Sequence, residues 1–186
     1  LVEVQAPYGY ALDKTPVAFS VSLENAEKEN SLTIVKVEKQ NTAQKGRISV
    51  QKTGDIFTSV NMASSAYTDE NGELVVNSTT YTPVFADGDL SGAVFQVIAV
   101  EDIVTLDGTT RAYAGDVVSE ITTDENGYAE TEPLYLGKYE IREIKAPDGY
   151  VLNNEPKDVE LTYAGQEFEV RDTVNTAFEN EYQSVR

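Results

Sequence analysis

Short stretches that alternate apolar and polar residues recur along this chain, and none of them has the period of an α-helix. Alternation of this kind is typical of β-strands that bury one face and expose the other. Gly, Asn, Asp and Pro separate the stretches, as they do between strands. The sequence therefore predicts an all-β protein, an antiparallel β-sandwich. The clearest candidate strands are Ile48–Lys52, Ala93–Val97, Tyr139–Glu143 and Thr176–Asn180.

Two turns share the same four residues, Asp-Glu-Asn-Gly, at Asp69–Gly72 and Asp124–Gly127. This sequence predicts hairpin loops, because Gly adopts the positive φ that tight turns need. The same residues resemble fragments of calcium loops, but neither turn is followed by the spaced glutamate that completes such a loop. We expect no metal site and no cofactor in this chain.

The composition excludes several classes of function. The chain of 186 residues has 32 acidic and 14 basic residues and a formal net charge of −18, which disfavours binding to nucleic acid or to an anionic membrane surface. It has no His and no Cys, so it cannot form a disulfide, a Cys/His zinc site or a Ser-His-Asp triad. No apolar run approaches the roughly 20 residues that span a bilayer, so we expect no membrane insertion. Hydrolase motifs are absent as well, and we expect no enzyme.

An internal repeat organises the chain. Residues 3–12 match residues 143–152 at six of ten positions, with an offset of 140 residues. Residues 41–47 match residues 180–186 at three of seven positions, with an offset of 139 residues. One residue of insertion or deletion therefore separates two blocks that otherwise keep their order.

The repeat also predicts the domain boundaries. No counterpart of residues 48–140 precedes the first block. We therefore interpret residues 1–45 as the carboxy-terminal part of a preceding repeat, and residues 46–186 as one complete repeat. The amino terminus has neither the basic nor the apolar region of a signal peptide, and we expect the chain to be an interior piece of a longer protein.

Three polar residues fall on the predicted inward faces of three strands. The inward stripes of these strands end on Lys52, Glu143 and Asn180. Polar groups in an apolar core are costly unless they meet one another, and burial favours a neutral amine and a neutral acid. A neutral Lys52 is a nucleophile that can attack the Asn180 carboxamide, while Glu143 polarises it and transfers the proton. The alternation alone leaves another reading open, in which Lys52 reaches solvent and Glu143 is its salt-bridge partner.

The motifs of the complete repeat resemble those of SpaA-type (Cna B-type) isopeptide-forming domains. That family has a lysine-bearing first strand, an L-x-G-A-x-F second strand, a G-x-Y-x-L-x-E…A-P-x-G-Y signature and a closing strand that ends on asparagine. The order of the motifs is the same here. The matching segments are Gly46–Gly54, Leu90–Phe95, Leu136–Glu143, Ala146–Tyr150 and Phe178–Asn180.

The resemblance implies a prealbumin-like or immunoglobulin-like β-sandwich from a Gram-positive pilin or cell-wall-anchored surface protein. It also implies an isopeptide bond between a lysine of the first strand and an asparagine of the last, promoted by a glutamate. These roles fall on Lys52, Asn180 and Glu143. We therefore expect self-crosslinking with a single turnover, an extracellular location at the cell surface, and neighbouring repeats of the same protein as partners.

One departure from the family pattern adds a second functional reading. The family passes quickly from its lysine strand to the next motif, whereas a long insertion intervenes here, at about residues 57–85. We expect this insertion to form a hairpin or an extended loop. The main reading is a stalk or pilin-type repeat, and the alternative is an adhesin that binds a host protein or glycan through the insertion. An exposed apolar or aromatic cluster on the insertion would favour adhesion.

Overall fold

The computed structural model describes residues 1–21, 27–29 and 32–183. Its regular secondary structure consists of strands, and the described residues include no helix long and apolar enough to cross a membrane. The longer strands are rich in Val, Ile, Thr and aromatic residues, which pack well on a pleated surface. The strands are β1 Glu27–Glu29, β2 Leu32–Ile34, β3 Lys45–Gly46, β4 Ile48–Thr68, β5 Leu74–Asp89, β6 Val94–Ala99, β7 Ile103–Val104, β8 Thr110–Ala112, β9 Val117–Thr122, β10 Tyr128–Glu130, β11 Leu134–Tyr135, β12 Gly137–Lys145, β13 Lys157–Leu161 and β14 Val174–Asn180.

Two four-stranded sheets form the body of the protein. One has the order β13–β12–β6–β9, with antiparallel neighbours throughout. The other has the order β10–β4–β14, with β5 also paired to β4. The prediction of an all-β sandwich is confirmed, but β4 and β14 are parallel. Parallel neighbours need a long connection, and here almost the whole domain lies between its first and last strands.

The inner faces of the two sheets form the hydrophobic core. Phe95 of β6 and Phe178 of β14 meet across the interior, with ring centroids 4.8 Å apart. Full burial of a large apolar side chain stabilises a fold by about 1.5–3 kcal/mol. Alternating residues of the strands supply most of this core, as the sequence pattern predicts. The buried core residues are Ile48, Val50, Ala93, Phe95, Val97, Ala99, Ile103, Ile121, Ala129, Tyr139, Ile141, Val159, Leu161 and Phe178.

The insertion forms a long two-stranded hairpin, as predicted. Strand β4 continues beyond the sandwich, turns at Asp69–Gly72 and returns as β5. The pairing between the strands runs from Thr53↔Asp89 to Thr68↔Leu74. Two bulges interrupt this ladder, and nearly every side chain between residues 55 and 89 is exposed or half-buried.

The second Asp-Glu-Asn-Gly turn, Asp124–Gly127, does not join paired strands, so its prediction as a hairpin loop is wrong. It connects β9 of one sheet to β10 of the other. After the turn the chain pairs with β4, and the Lys52 N–H donates to the Gly127 carbonyl at 2.7 Å. A Cβ at Gly127 would lie 2.3 Å from the Lys52 carbonyl oxygen, so only glycine fits at this position. Its φ of 67° also favours glycine.

The amino-terminal segment packs against one end of the sandwich. The Leu12 N–H donates a hydrogen bond to the Gln166 carbonyl at 2.8 Å. The rings of Tyr8 and Tyr163 lie 4.6 Å apart. These contacts place the segment next to β3, at the end of the domain where β4 begins.

Candidate functional site

The three polar residues predicted on inward faces are all buried, and they come from both sheets. Lys52 lies in β4, Asn180 in β14 of the same sheet, and Glu143 in β12 of the opposite sheet. Their exposed fractions are 0%, 3% and 5%, respectively. The part of the sequence prediction that concerned burial is therefore confirmed.

Glu143 and Asn180 are in direct contact. The side-chain nitrogen of Asn180, Nδ2, donates hydrogen bonds to both carboxylate oxygens of Glu143, at 3.0 Å each. The backbone N–H of Asn153 donates to Glu143 Oε2 at 2.6 Å and helps to fix the carboxyl group. Sequence reasoning missed Asn153, because the role belongs to its backbone and not to its side chain. The carboxyl group thus touches the nitrogen that would leave if an amine attacked this carboxamide.

Lys52 does not reach solvent, and it forms no ion pair with a carboxylate of the described residues. Its Nζ donates to the carbonyl oxygens of Thr53 at 2.9 Å and Phe178 at 3.2 Å. Removal from water lowers the pKa of Lys52 from 10.5 to about 8, against smaller opposing effects of the Glu143 and Glu179 charges. Close to pH 8 a large fraction of the amine is therefore neutral, which is its nucleophilic form.

The register of the two parallel strands places Lys52 and Asn180 on the same face of one sheet. Lys52 is the pairing partner of Phe178, which lies two residues before Asn180. Inward side chains at alternate positions of adjacent strands share one face of the sheet. Lys52 and Asn180 therefore point into the same part of the core, opposite Glu143.

The side-chain oxygen of Asn180, Oδ1, is buried and accepts no hydrogen bond from the described residues. Leaving a buried polar atom unpaired costs about 1–3 kcal/mol. Such atoms are rare in folded proteins and call for a specific explanation. A carboxamide that is held for reaction, and not for packing alone, provides one.

A second Glu–Asn pair, in the amino-terminal segment, has the same hydrogen bonds between its two side chains, and Asn41 Nδ2 also donates to the Ala11 carbonyl at 3.0 Å. Asn41 Nδ2 donates to Glu3 Oε1 at 2.9 Å and to Oε2 at 2.7 Å. The backbone N–H of Asp13 donates to Glu3 Oε2 at 3.1 Å, as that of Asn153 does to Glu143. The two pairs differ in burial, because Glu3 and Asn41 are only half-buried.

The backbone around the two pairs repeats as well. In both copies a Pro-x-Gly-Tyr turn is closed by a hydrogen bond of 3.1 Å, and its glycine has a positive φ. In both copies two backbone hydrogen bonds join the turn to the segment after the asparagine, and each bond has the same length as its equivalent in the other copy. The equivalent bonds are Ala11 N to Thr42 O and Val151 N to Glu181 O at 2.9 Å, and Gln44 N to Gly9 O and Gln183 N to Gly149 O at 2.8 Å.

Gln44 is a functional residue that sequence reasoning missed. Its exposed fraction is 1%, and its Nε2 donates to the carbonyl oxygens of Gly165 and Phe168 at 2.8 Å each. Its Oε1 accepts from the Ala164 N–H at 2.8 Å. Gln44 thus joins the amino-terminal segment to the sandwich. The repeat contained a signal, since Gln183 is its identical counterpart.

No cluster of three or more metal-ligating side chains occurs within the described ranges. A groove of about 520 Å³ lies where the amino-terminal segment meets the sandwich, a region that we name the junction, and Tyr10, Asn41 and Asp107 are among the residues that line it. It lies at the opposite end of the domain from Lys52 and Asn180, because the junction adjoins β3 and the start of β4.

The fold and the buried cluster together define a β-sandwich domain whose first and last strands share one sheet. Comparison with known families agrees with this class. Residues 77–176 match the family described as the SpaA prealbumin-like fold domain. The chain belongs to this family. The matched residues include Glu143, but Lys52 and Asn180 lie outside them.

Comparisons with individual proteins give the following similarities. The chain is 31% identical to the trypsin-resistant surface T6 protein of Streptococcus pyogenes serotype M6, over 106 residues that make up 57% of this chain and 16% of that protein. The Bacillus anthracis TIE protein matches 97% of this chain and 24% of its own, with a TM-score of 0.50 and 22% identity. GBS52, the minor pilin of Streptococcus agalactiae, matches 78% of this chain and 48% of its own, with a TM-score of 0.44 and 17% identity. The chain thus spans only a small part of the first two relatives.

Proposed function

We propose that this chain is a stalk or pilin-type repeat of a cell-surface protein, and that it is stabilised by an isopeptide bond between Lys52 and Asn180. The observation that carries the proposal is the buried contact between Asn180 Nδ2 and Glu143. The same inner face carries Lys52, which is buried, has a lowered pKa and forms no ion pair within the described residues. As a family member similar in sequence to a surface protein of a Gram-positive bacterium, the chain is expected to act outside the cell.

The chemistry balances without any cofactor. The neutral Lys52 Nζ attacks Asn180 Cγ, and a new C–N bond forms. Glu143 accepts a proton from the attacking nitrogen and delivers it to Nδ2, which it already contacts. The bond between Cγ and Nδ2 then breaks, and one ammonia leaves. Each molecule reacts once, so the chain is not an enzyme.

The bond would change how the domain responds to force and to proteases. It would join the first and last strands of the sandwich, whose strand order places them side by side. By the loop-entropy treatment used for disulfides, closing the loop between Lys52 and Asn180 would stabilise the folded chain by about 5 kcal/mol. Tension applied at the two ends of the domain would load a covalent bond and not only the hydrogen bonds between strands.

The test is the intact mass of the purified chain. We expect a mass about 17 Da below the sequence mass, from the loss of one ammonia, and a linked peptide pair that contains Lys52 and Asn180. A full sequence mass in folded protein would contradict the proposed bond.

We also propose that residues 1–45 are the carboxy-terminal part of a preceding repeat and residues 46–186 a complete one. The repeated Glu–Asn contact and the repeated backbone bonds support this boundary. The neighbouring repeats of the parent protein would then be the partners of this domain. The contacts of Gln44 are an example of how two repeats would be joined.

A second candidate function is adhesion through the hairpin. The observation that favours it is the set of exposed large apolar residues on β4 and β5, such as Met62, Leu74 and Tyr81, with exposed fractions of 67%, 74% and 66%. Binding of host matrix proteins or glycans by the full chain, lost on Tyr81→Ser substitution and kept on Thr80→Ser substitution, would support this function. No binding by the full chain would contradict it.

A further inference from the structure

The hairpin has two different faces. Cross-strand partners point to the same side of a ladder, so the pairs Phe57↔Phe85, Val60↔Pro83, Met62↔Tyr81 and Ala66↔Val76 share one side, which we name the apolar face. The hydroxyl pair Ser64↔Thr79 also lies on this side. On the opposite face, between Phe57 and Leu74, six of ten side chains come from Ser, Thr and Asn; its pairs are Ser59↔Val84, Asn61↔Thr82, Ala63↔Thr80, Ser65↔Ser78 and Tyr67↔Val75. A two-stranded hairpin alone is marginally stable in water, and an apolar face of this size normally has a partner.

The hairpin extends past the end of the sandwich at which the chain leaves it. Strand β14 has 7 residues and runs parallel to the first part of β4, which has 21 residues. The rest of β4 therefore projects in the direction in which β14 ends. At 3.3 Å per residue the projection is roughly 40 Å long, more than the length of the paired part.

The chain after β14 lies against the base of the apolar face. The ring of Tyr182 lies 5.3 Å from that of Phe85 and 5.5 Å from that of Tyr150. Phe85 in turn contacts Phe57, at 6.1 Å between ring centroids. An aromatic cluster thus connects the apolar face to the segment that leads out of the domain.

The junction at the other end of the domain indicates what a following domain would cover. Gln44 is buried there by the loop that contains Gly165 and Phe168. Its counterpart Gln183 is exposed, and its Nε2 has only the Tyr150 carbonyl as a partner in the described part of the chain, at 3.3 Å. A following domain joined in the same way would cover Gln183 and would lie beside the hairpin.

The charge pattern of the hairpin suits this neighbour. Neither arm has a charged residue, from Ile56 to Thr68 or from Leu74 to Ala86, in a chain of which 25% of the residues are charged. Packing against another acidic domain of this type would therefore bring no repulsion between like charges along the arms. Acidic residues are confined to the turn and the base of the hairpin.

From these observations we infer that the apolar face of the hairpin packs against the next β-sandwich repeat in the parent protein and stiffens the connection between the two domains. This inference rests on the proposed role as one repeat of a stalk. It assigns to the hairpin a partner within the same chain, in place of a host ligand.

The test uses Met62, the only methionine of the chain, which lies on the apolar face. The full chain is compared with a tandem protein, in which a second copy of residues 48–186 follows Arg186 in the register of the repeat. The second copy carries Met62→Leu, so that one methionine reports. We expect oxidation of Met62 by dilute hydrogen peroxide to be slower in the tandem protein by roughly fivefold or more, because sulfoxide formation follows exposure.

Two adjacent substitutions in the first hairpin provide matched variants. Val76→Asp, on the apolar face, should return the oxidation rate in the tandem protein towards that of the single chain. Val75→Asp, on the opposite face, should leave it slow. Equal rates in the unsubstituted single and tandem proteins would overturn the inference and leave the face available to a partner outside the chain. The intact mass of the same samples reports the isopeptide bonds separately. Failure of the proposed bond and failure of the proposed hairpin packing are therefore distinguishable.

Discussion

The two Glu–Asn pairs of this protein have the same hydrogen bonds between their side chains and different surroundings. Glu143 and Asn180 lie in a core with Lys52, whereas Glu3 and Asn41 are only half-buried. The contact between carboxyl and carboxamide therefore forms in both places. Lys52 lies on β4, the strand that pairs with β14, and this part of the sandwich is buried.

The same two chain segments surround each Glu–Asn pair. In each copy the Pro-x-Gly-Tyr turn and the segment after the asparagine hold each other by the same backbone bonds. These bonds satisfy the same backbone groups in both copies. The amino-terminal segment therefore repeats the Glu–Asn contact of the sandwich together with the backbone bonds around it.

The largest expected difference between the two Glu–Asn pairs is in crosslinking and in its effect on the free energy of unfolding. Replacement of Lys52 by Met, which keeps an apolar chain of similar length in the core, removes the nucleophile. We expect Lys52→Met to restore the full sequence mass and to lower the free energy of unfolding by about 5 kcal/mol. Asn41→Ala should leave the mass and the unfolding midpoint of the sandwich unchanged. Thermal unfolding and trypsin digestion measure the stability of the two variants. Equal trypsin half-lives for Lys52→Met and the parent chain would contradict a stabilising role of the bond.

The glutamates allow the same comparison for the proton transfer. Glu143→Gln preserves the shape of the side chain but removes the proton carrier, so we expect most molecules to remain uncrosslinked. Glu3→Gln should have no effect on the mass. Mass spectrometry of both variants gives the crosslinked fraction directly. Complete crosslinking in Glu143→Gln would show that the assigned role of Glu143 is wrong.

The two glutamines of the repeat should differ by an intermediate amount. Gln44→Ala removes three hydrogen bonds at a buried junction, and we expect a loss of about 1–3 kcal/mol in the stability of that contact. Faster hydrogen exchange at the Ala164 amide would report it. Gln183→Ala, at an exposed position, should leave the exchange pattern of the chain unchanged. Similar effects of the two substitutions would contradict the difference between an occupied and an open junction.

The smallest expected effect, counted per pH unit, is a pH dependence that arises from Lys52. The pKa of Lys52 is lowered in the folded state, so between about pH 8 and pH 10 the unfolded chain binds more protons than the folded one. In the uncrosslinked Glu143→Gln variant the free energy of unfolding should therefore rise with pH over this range, by up to about 1.4 kcal/mol per pH unit. The double variant Glu143→Gln/Lys52→Met should lack this slope in urea unfolding measured at each pH. A flat profile in both would contradict a lysine that is buried in its free form.

The sequence by itself determined the features that depend on neighbouring residues. The alternation of apolar and polar residues determined that Lys52, Glu143 and Asn180 point inward, because side chains of a strand alternate between its faces. The offset of the repeat identified Glu3 and Asn41 as their partial counterpart. These signals are local, and they do not depend on how the strands are ordered in the sheets.

Only the tertiary structure decided which strands meet. The parallel pairing of β4 with β14 and the change of sheets after Gly127 come from contacts between residues far apart in the chain. The burial of Gln44 and the direction of the hairpin have the same origin. Periodicity describes which face of a strand is apolar but not which partner covers it, because pairing is fixed by the packing of the whole core and by register across long loops.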